Sequence, residues 1–350
     1  MDNLENILRS NGAKDSVSLI DILNINHTAD VDTEEINTIE HSHYYGDDDL
    51  MKKLKSEIFS ILSINIQSLN AKFDELNIYI NRFLKANKSI KVICLQETWI
   101  QENSNISLFQ IENYNLISQA ATCSTHGGLA IYLHNNIEYT NIAIKNTNTI
   151  WEGQFIQINN VKVNKKKLII GNIYRPPKEI NTIIEDFTLE FAQILNDTNI
   201  IHESTYICGD YNIDLLKIQE RQAYNNFLEH CTISGYFPKI TLPTRISGRS
   251  ATLIDNIISN DILQPNNSNT FSGILTVNIS DHQPVFTCFS TKIIYDKTQK
   301  YIKIVSSNND ALDKFKNKIK DSDMLNKLDK NPLADPNINY NIMEEILCDA

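Results

Sequence analysis

Apolar residues follow two rhythms along this chain, and the switch between them marks its first elements. Ile58-Phe59-Ser60-Ile61-Leu62-Ser63-Ile64-Asn65 is a nearly continuous apolar run and predicts a buried strand. Phe73, Leu76, Ile80, Phe83 and Leu84 then recur at helical spacing. Val92-Ile93-Cys94-Leu95 predicts a second short strand, ending at Gln96-Glu97. A strand, helix, strand order of this kind predicts a layered α/β fold. Further strands are expected at Leu129–Leu133, Phe155–Val163, Leu168–Tyr174, Thr205–Cys208, Leu253–Ile258 and Pro284–Phe289. Asn164-Lys165-Lys166-Lys167 reads as a hairpin turn between two of them. Helices are expected near Thr182–Leu195 and Glu220–Cys231, with an irregular loop over Pro238–Ser250.

The pattern fades at both ends. Residues 1–56 hold only short apolar groups and an acidic stretch from Asp30 to Asp49, and read as a flexible arm. Residues 293–350 are rich in Lys, Asn and Asp and read as a linker-like tail, with Leu312, Phe315 and Ile319 on one helix. The expected domain therefore spans 57–292. No internal repeat is evident.

Composition narrows the class. Of 350 residues, 41% are hydrophobic and 21% charged, and the mean hydropathy is -0.29, which is the profile of a soluble globular chain. There is no apolar run of membrane-spanning length. The start, Met1-Asp2-Asn3-Leu4-Glu5, has neither a basic beginning nor an apolar signal core. Six scattered cysteines without a Cys-x-x-Cys pair fit a reduced, intracellular protein without a zinc knuckle. The net charge of -11 and pI near 5.2 speak against a broadly basic nucleic-acid surface. They leave room for a local one.

The polar residues that interrupt this pattern fall in particular places. Asn65, Glu97, Asp210 with Asn212, Asp255, and Asp281-His282 each stand at or beside the end of an expected strand. Strand ends are where an α/β fold can deliver several side chains to one rim. Phosphodiester hydrolysis needs a hard cation, a base for water and donors for developing charge. Carboxylates, amides and one histidine meet those needs. Singly, each is equally well a solvated strand end or an Asx turn; only their joint occurrence carries weight.

The chain resembles the endonuclease/exonuclease/phosphatase superfamily, and within it is most similar to endonuclease domains of LINE-type (non-LTR) retrotransposons. The matching stretches are Ile64–Leu69, Leu95-Gln96-Glu97-Thr98-Trp99, His126–Ala130, Tyr174-Arg175-Pro176-Pro177, Gly209-Asp210-Tyr211-Asn212, Leu253-Ile254-Asp255 and Ser280-Asp281-His282-Gln283-Pro284. The resemblance implies a four-layer, deoxyribonuclease-like two-sheet sandwich flanked by helices. It implies Mg²⁺ as cofactor, with Mn²⁺ the alternative, held by Glu97 with Asn65 beside it and Asp281 as a second acidic contact. Asp210 would orient or deprotonate water, Asn212 would bind the scissile phosphate and Tyr174 would contact the phosphate or leaving oxygen. His282 would meet the transition-state phosphate or move a proton, its tautomer set by Asp255. Which group is base and which acid stays open.

The same resemblance implies DNA as partner, with Thr244 and Arg245 near its backbone. Arg249, Ser250 and Thr252 are candidate phosphate contacts by residue type. Expected activity is the nicking of target DNA for retrotransposition, in the nucleus. Element RNA would be engaged through missing downstream domains, so the chain is expected to be a fragment or a domesticated remnant. Abasic DNA, RNA, inositol phosphates and sphingomyelin are the rival substrates, and a non-catalytic binding module the rival class. Lys162, Lys165, Lys166 and Lys167 form the densest basic patch, on a DNA-facing or merely solvated hairpin tip. Tyr45-Gly46-Asp47-Asp48 resembles a polymerase Tyr-x-Asp-Asp but lies in the acidic stretch, without expected flanking strands. Trp99 and Trp151 are expected to pack near strand ends.

Overall fold

In the computed structural model, the described residues are 42–55, 58–123, 125–143, 150–197, 200–248, 250–261 and 270–293. The chain divides into two units, Met1–Tyr295 and Asp296–Ala350. The expected tail helix around Leu312, and residues 1–41 of the expected arm, lie outside the described residues.

Two seven-stranded sheets face each other. The first runs β1 (His43–Tyr45), β14 (Phe271–Leu275), β15 (Val285–Ser290), β2 (Ile58–Asn65), β3 (Val92–Gln96), β5 (Leu129–His134) and β4 (Tyr114–Gln119). The second runs β10 (Phe237–Pro238), β13 (Asp255–Ser259), β9 (Ser204–Asp210), β8 (Lys166–Tyr174), β7 (Glu152–Val163) and β16 (Lys292–Ile293), with β6 (Tyr139–Ile142) also on β7. A small hairpin, β11 (Arg245–Ser247) and β12 (Ser250–Thr252), stands apart. It falls where an irregular loop was expected. Residues expected to be arm also enter the first sheet: β1 pairs in parallel with β14, and helix α1 (Asp47–Lys53) buries Leu50 behind it. The aromatic side of Tyr45 explains this, since it packs edge-on against Phe286 at 5.2 Å. Tyr45-Gly46-Asp47-Asp48 is thus a strand end and a helix start, with Asp47 paired to Arg82.

Alternation along the strands sorts the layers. On β2, Leu62 and Ile64 join Leu76, Ile80 and Phe83 of helix α2 (Leu69–Lys85), while Phe59 and Ile61 face the other sheet. Ser68 starts α2 by accepting from the Ala71 amide at 3.3 Å. Helices α3 (Asn181–Leu195) and α4 (Gln222–Ile233) cover the second sheet with a stacked aromatic group, Phe187, Phe191 and Phe227. Each such ring removed from water contributes about 1.5–3 kcal/mol. The order helix, sheet, sheet, helix is the expected four-layer sandwich.

Candidate active site

Strand direction collects the site at one rim. β2 and β3 run in parallel, as do β8 and β9, so Asn65, Glu97, Tyr174 and Asp210 all lie at C-terminal strand ends. β13 and β15 run antiparallel to their neighbours and begin at the same rim, which brings Asp255 opposite Asp210 and His282 just ahead of Val285. Alternation then aims the side chains. Tyr206 stacks on Phe289 of the first sheet at 4.4 Å, and Asp210 shares its side of β9, so the carboxylate points across the gap. Asn65 shares the inward side of β2 with Ile61.

Glu97 would follow Gln96 onto the wrong face if β3 simply continued. A left-handed backbone at Glu97 (φ 51°) turns it back to the rim. Gln67 (48°), Ser68 (84°), Trp99 (57°) and Asn212 (48°) adopt similar angles, so five of the nine such non-glycine residues described cluster here. Conformations of this kind cost on the order of 1–3 kcal/mol and collect at functional sites.

The polar groups meet closely. Asn65 Nδ2 donates to Glu97 Oε1 at 2.7 Å and to Asp210 Oδ2 at 2.8 Å. Asp210 Oδ1 accepts from the Asn212 amide at 3.0 Å. Asn212 Nδ2 donates to the Arg175 carbonyl at 2.7 Å. His282 Nδ1 lies 3.0 Å from both oxygens of Asp255. Burial raises the Asp210 carboxyl to about 7, helped by the charge on Asp255 and opposed by His282 and Asn65. For His282 burial works against the charged form, yet Asp255, then Asp210 and Asp281, carry it up to about 9. The Tyr174 phenol, hydrogen-bonded to Glu97, is pushed up by burial and by the charges of Glu97 and Asp210. It stays a proton donor at neutral pH.

Some side chains hold this rim without having been singled out from sequence. Arg175 is wholly buried and donates to the carbonyls of Tyr211 (2.6 Å), Asn212 (2.5 Å) and Lys178 (3.1 Å), fixing the loop after Asp210. Asn172 donates to Leu95 and Ala130 carbonyls across the sheets and accepts from Gln96 Nε2 at 2.6 Å. A lone amide inside the apolar run Leu168–Tyr174 was its signal in the sequence. Buried Glu152 pairs with Tyr174 on the next strand and accepts from the Thr122 amide, the Thr122 hydroxyl and the Gly128 amide. Nothing in the sequence distinguished it.

Among the expected DNA contacts, Thr244 lies beneath the surface. It is 0% exposed, and its hydroxyl donates to Asp255 Oδ2 at 2.7 Å, so it braces the Asp255–His282 pair. Arg245 and Asp281, expected on DNA and on metal, engage each other: Nε and Nη2 reach Asp281 Oδ2 at 2.9 and 2.7 Å, both side chains partly exposed. That pairing holds the Asp281 carboxyl below its usual range against the opposing effect of burial. Ser250 is exposed and Thr252 half-buried on the small hairpin; Arg249 lies outside the described residues. The lysine-rich turn sits at the far end of β7 and β8 from Glu152 and Tyr174. Nine residues of β8 at about 3.3 Å each separate it from the rim by roughly 25 Å.

The donor set fits a hard cation. Glu97 and Asp210 each point an oxygen at one amide nitrogen, and two acids held this close are what a cation relieves. Asp210, Asp255 and His282 also bring one ligand atom apiece within 4.8 Å of one another. Asp255, however, has its oxygens taken up by His282 and Thr244, so that trio is better suited to holding a proton on the imidazole.

A two-sheet sandwich with acids, amides and a carboxylate–histidine pair on one rim is the arrangement of a nuclease or phosphodiesterase fold. The chain belongs to the endonuclease/exonuclease/phosphatase family, whose model matches residues 62–282. No curated protein sequence matches it significantly. Among solved structures it is similar to the AP endonuclease LMAP from Leishmania major, at 14% identity and a TM-score of 0.55, over 81% of this chain and 98% of that one. It is also similar to the endonuclease domain of TRAS1, a telomere-specific non-LTR retrotransposon, at 13% identity and a TM-score of 0.50, over 67% of this chain and 98% of that one. Among the described residues no helix is long and apolar enough to cross a membrane.

Proposed function

We propose that this chain is a Mg²⁺-dependent DNA endonuclease that nicks one strand by hydrolysis, in the manner of a retrotransposon's target-cutting domain. The observation that carries this reading is the convergence of Asn65, Glu97 and Asp210 from two sheets beside the Asp255–His282 pair. DNA as substrate is supported by the Ser68-Leu69-Asn70 and Tyr174-Arg175-Pro176-Pro177 stretches, which favour the retrotransposon side, and by the likeness to the TRAS1 endonuclease domain. Glu97, with Asn65 and Asp210 beside it, would hold the cation, which supplies neutralisation of the phosphate charge. Asp210 orients the attacking water and accepts its proton. His282, kept cationic by Asp255, donates to a non-bridging phosphate oxygen as negative charge grows there. As the P–O3′ bond breaks, the protonated Tyr174 phenol donates to the leaving 3′-oxygen, which departs as the 3′-hydroxyl, and the second N–H of Asn212 donates to the phosphate. Arg245 leaves Asp281 for the DNA backbone when a strand arrives.

Supercoiled plasmid incubated with the protein and Mg²⁺ is expected to become nicked circles bearing 3′-hydroxyl ends, and EDTA to stop the reaction. An intact plasmid together with cleavage of an abasic duplex, RNA or an inositol polyphosphate would move the substrate elsewhere in the family. Plasmid nicking unchanged in both Glu97→Ala and His282→Ala would overturn the site.

A further inference from the structure

The chain has two tryptophans, and they are treated oppositely. Trp151 is 1% exposed, packed edge-on against Phe187 at 6.1 Å. Trp99 is 42% exposed, two residues after Glu97. Its position is built. The Trp99 backbone is left-handed (φ 57°), a conformation unfavourable for a bulky side chain, and its amide is tied to the Gly127 carbonyl at 2.9 Å. Thr98 N likewise binds the Gly128 carbonyl at 3.1 Å. The glycine pair is what allows this approach: a Cβ on Gly128 would lie 2.6 Å from Thr98 Oγ1 and 3.3 Å from the Trp99 amide. The indole is oriented as well, its Nε1 donating to Glu97 Oε2 at 3.3 Å.

A large apolar ring left in water, on a strained backbone and aimed by the residue proposed to hold the cation, is unsatisfied until something planar covers it. We infer that Trp99 is the stacking platform for a nucleobase flanking the scissile phosphate. The inference rests on the DNA reading of the site and specifies how that strand is gripped. Stacking is tolerant of sequence because every base presents a π-face, and it suits an unpaired or locally opened strand better than a closed duplex. Nucleotides would thus be held from one side by the phosphate donors and from the other by the indole.

The test uses the full chain and its own fluorescence. With metal chelated, titration with a short single-stranded DNA is expected to quench the emission of Trp99 while buried Trp151 is spared. Trp99→Phe should abolish that change. In plasmid nicking, Trp99→Ala should raise KM about tenfold with kcat within about twofold, and Trp99→Phe should recover most of the loss. If Trp99 merely positions Glu97 through its N–H, Phe and Ala will lose kcat alike, which overturns the platform. A wild type that nicks plasmid with no emission change and no KM effect in Trp99→Ala also overturns it, leaving the endonuclease reading intact. A wild type that neither binds nor nicks DNA overturns both.

Discussion

One amide nitrogen, Asn65 Nδ2, is shared between Glu97 and Asp210, at 2.7 and 2.8 Å. The two acids belong to different sheets, so one polar side chain ties the sheets together at the site, beside the Asn172 contacts further in. Removing it leaves two carboxylates facing each other without the donor they share, and an unsatisfied buried acceptor costs about 1–3 kcal/mol. Asn65→Ala is therefore expected to lower nicking by about 10²–10³ and to lower Tm in the metal-free protein. Excess Mg²⁺ should restore part of the Tm, because a cation relieves the same repulsion. Steady-state kinetics and thermal unfolding with and without Mg²⁺ check both halves.

The Asp255–His282 pair makes a prediction about pH. The imidazole is raised from 6.5 to about 9 in the folded chain. Its contribution to stability is thus fully present below pH 6.5 and lost as pH rises through about 9. Asp255→Asn removes the charge that raises it, so the His282 ring should titrate markedly lower by NMR. The alkaline limb of the pH–rate profile should move to lower pH with it. A ring that titrates unchanged in Asp255→Asn would exclude Asp255 as the cause.

Gly128 has φ 81°, and no room for a methyl group beside Thr98. Gly128→Ala is expected to destabilise the chain by about 1–3 kcal/mol through backbone strain alone. It should also reduce kcat, because Thr98 adjoins Glu97. Denaturant unfolding and nicking measured on the same preparation would show whether the two losses come together.

The turn Lys165-Lys166-Lys167 carries the most concentrated positive charge but stands at the opposite end of its sheet from the site. Replacing all three by alanine is expected to leave nicking at 0.1 M salt within about twofold. Removing phosphate contacts would instead weaken binding and flatten its salt dependence by about one unit of slope per contact. Binding titrations over a salt series separate the two cases.

Much of the sandwich was legible in sequence because its strands are apolar on both faces and end in polar residues. Ile58–Asn65 and Val92–Leu95 announced both the strand and the candidate residue at its tip. The acids and His282 were legible for the same reason, as polar groups where an apolar run stops. What escaped was whatever depends on partners distant in the chain. Thr244 reads as an ordinary loop hydroxyl until Asp255 is folded against it. Glu152 reads as a solvated acid, and its three donors lie 24 to 30 residues away. β1 escaped because three residues beside an acidic stretch carry too little pattern to predict pairing with a strand more than 200 residues on.

The pairing of Val285 with Ser63 has a consequence in time as well as in space. β2 lies at the middle of its sheet, and one of its two neighbours is made only after some two hundred further residues. His282 travels on that late neighbour, three residues ahead of the pairing. A nascent chain therefore carries Glu97 and Asp210 long before it carries the imidazole, and closing so long a loop is slow. The cluster of candidate site residues would thus be completed in a late step, when the strand that follows His282 docks beside β2.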